Sequence, residues 1–325
     1  MRDAAALERL KAFAAHAIPV ATQPTPVEEL TRLRAALGGG PRLMIKRDDA
    51  LPFAMGGNKV RKLRLLVRRA LDDGADTLIT MGGLQSNHAR VTAAMAAATG
   101  LRSILVLNGE AQAVPTGNAR LQQMFGAEIV YVDTREAREP AMHEAAAALT
   151  RRGGRPFIVP LGGSTPEGAL GYAHAFAELM DQIDPPDVIV HSTSSGGTQA
   201  GLAAGAALFG VPTRIIGVSA DDPAGAIMDV VRGLVPQIGA RLGADALSHD
   251  AVEADDTFVG GGYGVPTPSS TEALTLAARS EGLLLDPVYT AKAMAGLVAR
   301  VRAGGFRSTD TVLFWHTGGT PALFT

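Results

Sequence analysis

Short apolar runs alternate with longer alanine-rich stretches along most of the chain. Eight runs of four or five residues are rich in Val, Ile and Leu, which is typical of strands buried on both faces of a parallel sheet. The stretches between them are long enough for crossover helices. The predicted strands cover residues 43–46, 77–81, 103–107, 128–132, 157–161, 188–191, 215–219 and 311–315.

This alternation predicts the α/β class. Eight strands in 325 residues favour two sheets over one, so we expect two domains, each a mostly parallel twisted sheet flanked by helices. Residues 60–71 form an amphipathic pattern, and we expect Lys62, Arg64, Arg68 and Arg69 on its solvated face. The apolar run 201–212 is shorter than the roughly 20 residues that cross a bilayer, so it predicts a buried helix.

Composition narrows the functional classes. With 30 Lys+Arg against 32 Asp+Glu, the chain lacks the positive charge that nucleic-acid binding requires. The absence of cysteine excludes disulfides, iron–sulfur clusters and thiol nucleophiles, and the histidine spacing does not predict a metal site. The N-terminal 20 residues mix charged and apolar side chains, unlike a secretory signal, so we expect a cytoplasmic protein without a membrane partner.

Many of the 38 glycines fall in pairs that follow predicted strands or precede predicted helices. The first such segment, Gly56-Gly57-Asn58-Lys59, lacks the Walker spacing, so it does not predict a nucleoside triphosphate site. An amine near a helix N-terminus or near other cations has a lowered pKa and can form a Schiff base. Lys59 is therefore a candidate for that chemistry, against the alternative of an ordinary surface lysine.

Two further segments carry polar groups at strand ends. Gln85, Ser86, Asn87 and His88 follow strand 77–81, where Ser86 or Asn87 could simply cap the next helix. Residues 192–198 follow strand 188–191 and combine hydroxyls with two glycines at a helix start. Backbone N–H groups in that setting bind a single phosphate group. The residues of this predicted phosphate site are Ser194, Ser195, Gly196, Gly197 and Thr198.

Three remaining candidates lie near the C-terminus. Tyr263 stands in the glycine-rich loop 260–264, and Tyr289 is expected in a first helical turn that Pro287 would open. Thr317 follows the last predicted strand. Either tyrosine alone is more often a packing residue. A reactive lysine, a phosphate site and several polar loops together suggest an aldehyde cofactor bearing one phosphate, and pyridoxal 5'-phosphate fits this description.

The motifs that carry these residues resemble one enzyme family. The segments GGNKVRKL, GGLQSNHAR, SSGGTQAGL, GGYGVPT, LLLDPVYTAKAMAGL and FWHTGGTPALF occur in the order found in tryptophan-synthase-β-like (fold type II) pyridoxal-phosphate enzymes. The similarity is specifically to the D-cysteine desulfhydrase and 1-aminocyclopropane-1-carboxylate deaminase family. It extends from Pro24 to Thr325.

The resemblance implies a role for each motif residue. Lys59 would form the Schiff base and remove the Cα proton, and Ser86, Tyr263 and Tyr289 would complete the catalytic set. Gln85 and His88 would join Ser86 and Asn87 near the substrate. The implied cofactor-binding residues are Asn58, Lys59, Asn87, Ser194, Ser195, Gly196, Gly197, Thr198 and Thr317. The implied large domain is 1–61 with 167–325, the small inserted domain is 62–166, and the implied assembly is a homodimer.

Within the family, short motifs favour one reaction. The deaminases show Tyr-Glu and Ser-Asn-Gln, whereas this chain has Tyr289-Thr290 and Ser86-Asn87-His88, as the desulfhydrases do. We therefore expect α,β-elimination of D-cysteine to pyruvate, hydrogen sulfide and ammonia. L-Cysteate sulfo-lyase, 1-aminocyclopropane-1-carboxylate deaminase and a non-catalytic cofactor-binding protein remain alternatives. The sequence reveals no cationic pocket for a sulfonate, and a dehydrogenase would need the missing dinucleotide fingerprint.

Overall fold

The computed structural model describes residues 2–20, 24–244, 247 and 250–325. Its strands form a six-stranded and a four-stranded sheet. The strands are β1 (Val27–Glu29), β2 (Arg42–Arg47), β3 (Thr77–Gly83), β4 (Arg102–Asn108), β5 (Glu128–Val132), β6 (Pro156–Ile158), β7 (Val188–Thr193), β8 (Arg214–Ser219), β9 (Val252–Asp255) and β10 (Thr311–His316). The first sheet has the order β1-β2-β10-β7-β8-β9 and the second the order β5-β4-β3-β6.

All strand pairs are parallel except that of β1 with β2. The predicted α/β class with two mostly parallel sheets is therefore confirmed.

The helices of the described residues are α1 (Ala4–His16), α2 (Thr31–Ala36), α3 (Asn58–Asp72), α4 (Asn87–Thr99), α5 (Gly117–Met124), α6 (Arg138–Arg151), α7 (Pro166–Met180), α8 (Gly197–Phe209), α9 (Ala224–Leu242), α10 (Pro268–Glu281) and α11 (Thr290–Arg302).

Alternating side chains of the first sheet enter two different apolar layers. Leu313 and Trp315 of β10 pack toward α1, α7, α8 and α9, while Val312 and Phe314 pack toward α2, α10 and α11. The second sheet lies between α3 and α4 on one face and α6 on the other. Burial on both faces explains why these strands appear as continuous apolar runs in the sequence.

The structure corrects several predicted boundaries. β1 and β9 are absent from the prediction because each is short, polar and at a sheet edge, where burial does not demand apolar residues. β6 ends at Ile158 rather than at residue 161. The predicted buried helix over 201–212 ends at Phe209, because Gly210 adopts the left-handed conformation that stops it. No described helix has the length and apolar character to cross a membrane.

The predicted solvated face of α3 is wrong for Lys62, which is only 1% exposed. Arg64 and Arg68 are half-buried, and only Arg69 is exposed. Helical periodicity identifies one apolar face of α3, but α7 covers a second face that carries cations. The approach is close: a Cβ at Gly171 of α7 would lie 2.4 Å from the carbonyl oxygen of Arg61. The ends of the proposed insertion 62–166 remain a prediction, and all four strands of the second sheet lie within it.

A buried charge cluster connects β2, α3 and α7. The Asp48 carboxylate, fully buried, accepts hydrogen bonds from Arg61 Nε at 2.9 Å, Tyr172 Oη at 2.6 Å and Trp315 Nε1 at 2.9 Å. Glu178 accepts from Arg61 at 2.9 Å. Burial raises the pKa of Glu178, but the hydrogen bond and charge of Arg61 outweigh it and hold the pKa at about 2. The pairing offsets the cost of burying these charges.

We expect Asp48→Asn to lower the free energy of unfolding by about 3 kcal/mol, because it removes one of the two carboxylates that pair with the buried Arg61 charge. Urea unfolding followed by circular dichroism measures this change. Asp229→Asn is the control, since Asp229 forms an exposed ion pair with Arg232 and should change stability little. Equal stability of Asp48→Asn and the unaltered protein would contradict the role of the cluster.

Candidate active site

A cavity of about 500 Å³ opens where the carboxyl ends of strands from both sheets face each other. Open α/β sheets bind ligands at this position. All the predicted site residues line the cavity except Gly197, which is buried and does not face it. Those that line it are Asn58, Lys59, Gln85, Ser86, Asn87, His88, Ser194, Ser195, Gly196, Thr198, Tyr263, Tyr289 and Thr317.

Lys59 is the second residue of α3, and glycine backbone sets where that helix begins. Gly57 has a φ of 101°, and a Cβ there would lie 2.9 Å from the Thr317 carbonyl oxygen. The Asn58 N–H donates to the same oxygen at 2.9 Å. Only glycine permits this approach, so it fixes the first turn of α3 against the end of β10.

The Lys59 amine is poised for chemistry near neutral pH. Burial, together with the charge of Arg90, lowers the pKa of Lys59 from 10.5 to about 8. The predicted direction was the same, although burial rather than the helix dipole is the main cause. A lowered pKa gives the amine a larger neutral, nucleophilic fraction.

Arg90 is a site residue that the sequence analysis did not identify. Its side chain is fully buried and donates to Asn87 Oδ1 at 2.9 Å, Asn118 Oδ1 at 2.8 Å and the Gly56 carbonyl oxygen at 2.9 Å. Arg90 thereby connects α4 with the glycine loop that precedes Lys59. The available signal was its position three residues after Asn87, which places both on one face of α4.

The predicted phosphate site lies at the first turn of α8. Gly196 adopts φ 71° before the helix, whose first N–H groups lack partners within the helix. Ser164 Oγ donates to Ser195 Oγ at 2.8 Å and accepts from the Gly197 N–H at 3.2 Å. Behind them, Lys62 Nζ donates to Ser164 Oγ at 3.2 Å. N–H groups, hydroxyls and a buried amine are donors that fit a dianionic phosphate.

Burial, followed by the charge of Lys59, keeps the pKa of Lys62 well below 10.5. Sequence analysis missed Ser164 altogether and placed Lys62 in solvent. A bound phosphate would offset the cost of keeping the buried amine charged.

Neutral hydroxyl groups lie close together at the carboxyl end of β10. Thr317 Oγ and Ser192 Oγ are 2.7 Å apart, and Asn58 Nδ2 donates to Thr198 Oγ at 3.1 Å. A neutral hydroxyl such as that of Thr317 would suit the pyridine nitrogen of pyridoxal 5'-phosphate. These groups therefore fit the cofactor at both of its ends.

The polar side chains of the loop after β3 are buried or half-buried, and three of them hold local structure. Ser86 Oγ caps α4 by accepting from the Ala89 N–H at 3.2 Å. Gln85 Oε1 accepts from the Asn118 N–H at 2.8 Å, so this side chain holds the start of α5. The His88 ring lies 2.8 Å from Thr80 Oγ, and burial keeps the pKa of His88 well below 6.5. Their predicted contact with substrate remains a prediction.

The two tyrosines meet at the cavity. Their hydroxyl oxygens are 2.6 Å apart and their rings pack edge to face. Burial raises the pKa of both phenols, so they are protonated at neutral pH. Pro287 does not open a helix as predicted, because α11 begins only at Thr290. Instead, the Asp286 carboxylate accepts from the N–H groups of residues 288–290 and positions Tyr289.

Comparison with known proteins identifies the chain's relatives. Residues 18–318 match the family model of the pyridoxal-phosphate dependent enzymes. The structure of an ACC deaminase homologue is 33% identical, has a TM-score of 0.89, and the match covers 97% of this chain and 96% of that one.

Two further matches show the shared fold. Threonine deaminase isoform 2 from Solanum lycopersicum is 16% identical with a TM-score of 0.70, covering 97% of this chain and 84% of that one. Serine racemase from Dictyostelium discoideum has the same identity, 16%, and a TM-score of 0.70, covering 96% and 97%.

We expect Arg90→Met to raise the pKa of Lys59, because it removes the neighbouring cation that helps to lower it. The measurement is the rate at which cofactor-free protein reacts with pyridoxal 5'-phosphate, recorded as a function of pH. The midpoint of this pH profile should move to higher pH. Arg90→Lys keeps the charge and should leave the midpoint near its original value. An unchanged midpoint in Arg90→Met would contradict the electrostatic effect.

We expect Gly197→Ala to weaken cofactor binding by about tenfold or more, since the new Cβ would displace donors of the phosphate site. That Cβ would lie 2.6 Å from Ser164 Oγ and 2.7 Å from Lys62 Nζ. Equilibrium dialysis with pyridoxal 5'-phosphate measures the change. Gly233→Ala in α9 is the control because its Cβ would meet nothing within 4 Å. Equal affinities of the two variants would refute this location of the phosphate site.

Proposed function

Because this chain belongs to the family of pyridoxal-phosphate dependent enzymes, we propose that it catalyses α,β-elimination of a small amino acid, with D-cysteine as the first expected substrate. The products would be pyruvate, hydrogen sulfide and ammonia. One observation carries the proposal: a single cavity holds the low-pKa amine of Lys59, the first turn of α8 and the protonated Tyr263–Tyr289 pair.

Each group has a chemical task in such an elimination. When bound, pyridoxal 5'-phosphate withdraws electrons from the substrate Cα and makes its proton acidic. Lys59, with a pKa of about 8, is suited to remove and hold that proton near neutral pH. The first turn of α8, with Ser195, Thr198 and Lys62, would bind the phosphate group. Thr317 would offer a neutral hydroxyl to the pyridine nitrogen.

The remaining residues act on the substrate. The N-terminus of α4, capped by Ser86, is a favourable place for the substrate carboxylate. Asn87 is held in orientation by Arg90 at 2.9 Å and would contact the cofactor's 3'-oxygen. The Tyr263 and Tyr289 hydroxyls share a hydrogen bond, so one of them can donate a proton to a leaving group.

Other reactions stay open as alternatives. 1-Aminocyclopropane-1-carboxylate deamination draws support from the 33% identical relative, which is an ACC deaminase homologue. L-Cysteate sulfo-lyase activity is the same elimination with sulfite as leaving group. A non-catalytic cofactor-binding protein would need the phosphate site but not the paired tyrosines. We further propose a cytoplasmic homodimer that acts on a small amino acid and has no nucleic-acid or membrane partner.

We expect Lys59→Ala to abolish both the visible absorbance of the lysine-linked cofactor and the release of pyruvate, because the covalent link and the base are lost together. Lys11→Ala, a change in an exposed lysine of α1, should keep both. Full turnover by Lys59→Ala would refute the assignment.

The substrate is tested by measuring pyruvate release from D-cysteine, L-cysteate, D-serine and β-chloro-D-alanine beside α-ketobutyrate release from 1-aminocyclopropane-1-carboxylate. Turnover of the cyclopropane substrate alone would favour the deaminase reaction. Turnover of none would contradict the proposed elimination.

A further inference from the structure

An arginine that has not yet been described lines the cavity. Arg138 is the first residue of α6, and its side chain reaches the same cavity as Lys59. The residue is only 8% exposed, which is unusual for arginine unless its charge is paired. The sequence gives no hint of this placement, because α6 is far from every motif segment.

The Arg138 guanidinium has few partners. Its Nε donates to the Arg135 carbonyl oxygen at 2.9 Å. Within the part of the chain that the structure describes, its terminal nitrogens form no hydrogen bond, and no carboxylate oxygen lies within 4.0 Å. Both terminal nitrogens are nevertheless accessible to solvent. They are therefore free to bind a ligand in the cavity.

The neighbouring Arg135 provides a contrast. Its guanidinium contacts Asp221 at 2.5 Å and Asp222 at 2.9 Å, and its side chain is 44% exposed. Asp221 also lines the cavity, but Arg135 already pairs with it. Among the residues that the structure describes, the exposed Arg135 therefore has carboxylate partners and the buried Arg138 has none. A buried cation without a counter-ion is costly unless a bound anion completes it.

Arg138 lies near the paired tyrosines. Burial, followed by the charge of Arg135, lowers the pKa of Arg138, while Tyr263, Asp221 and Glu136 partly oppose this effect. The Tyr263 ring in turn stands 3.8 Å from the position that a Cβ on Gly83 would occupy, at the carboxyl end of β3. Arg138 thus lines the same cavity as Tyr263, one of the two proposed proton donors to the leaving group, and its charge acts on that phenol.

We infer that Arg138 forms a subsite for a negatively charged β-substituent, so that the substrate class is a β-substituted amino acid bearing an oxyanion, such as cysteate. This inference rests on the proposed elimination and favours its sulfonate alternative, cysteate, over D-cysteine as the substrate. A sulfonate has three acceptor oxygens, and a guanidinium can donate two parallel hydrogen bonds to such a group. The neutral thiol of cysteine would leave Arg138 without a counter-ion.

The chemistry of the elimination balances for cysteate. One proton leaves Cα, and the Cβ–S bond breaks with both electrons remaining on sulfur, so the leaving group is sulfite. One water molecule then hydrolyses the C–N bond, which gives pyruvate and ammonium. Cysteate and water therefore yield pyruvate, ammonium and hydrogen sulfite without an oxidant or reductant.

Binding of 3-sulfopropanoate to the holoenzyme tests the subsite directly, because this compound lacks an amino group and cannot react with the cofactor. Butanoate is the matched ligand without the sulfonate charge. By isothermal titration calorimetry we expect 3-sulfopropanoate to bind at least about tenfold more tightly than butanoate. Arg138→Gln should remove the difference, and Arg151→Gln, an exposed arginine at the other end of α6, should keep it.

Turnover gives the second measurement. The ratio of kcat/KM for cysteate to that for D-cysteine should fall at least about tenfold in Arg138→Gln and stay unchanged in Arg151→Gln. Equal affinity of the unaltered enzyme for 3-sulfopropanoate and butanoate would overturn the subsite, and this comparison needs no variant to fold. An Arg138-dependent sulfonate preference without pyruvate release from any substrate would support the subsite and refute the proposed elimination.

Discussion

The ion pair of Arg61 with Asp48 is the interaction on which the geometry of the site depends. Asp48 binds α3 twice: its carboxylate pairs with Arg61 at 2.8 Å, and its carbonyl oxygen accepts from the Gly57 N–H at 2.9 Å. The two contacts flank Lys59 in sequence, so they set the position of the first helical turn. A buried ion pair contributes little net stability compared with an apolar pair, but it specifies one arrangement because every alternative leaves a charge unpaired.

Positive charge is distributed unevenly around the cavity, and each cation has a different environment. Arg61 is paired with the Asp48 carboxylate, whereas Arg90, among the described residues, donates only to neutral oxygens of Asn87, Asn118 and Gly56. Its charge, which no direct contact with a carboxylate among these partners offsets, lowers the pKa of Lys59. Lys62 and Arg138 are also buried without carboxylate partners among the described residues. This pattern suits a site that receives a phosphate and an anionic substrate.

The sequence predicted the parts of this arrangement that follow from strand order and local motifs. Residues after buried parallel strands had to converge at one edge, which placed Asn87, Ser195 and Thr317 in one cavity. Lys59 reaches the same cavity from the first turn of α3. It could not predict Lys62 or Arg138, because whether a helical cation is solvated depends on which distant element covers it. The short edge strands β1 and β9 were not predicted for a related reason. Their pairing relies on backbone hydrogen bonds rather than on apolar side chains.

The central claim is that Lys59, and not its more deeply buried neighbour Lys62, reacts with the cofactor. The direct test is borohydride reduction of the protein loaded with pyridoxal 5'-phosphate, followed by proteolysis and mass spectrometry that locates the modified lysine. The structure predicts that the cofactor mass is attached to Lys59 alone, because the Lys62 amine is hydrogen-bonded to Ser164 behind the phosphate site. Attachment to Lys62, or to no lysine, would contradict this account.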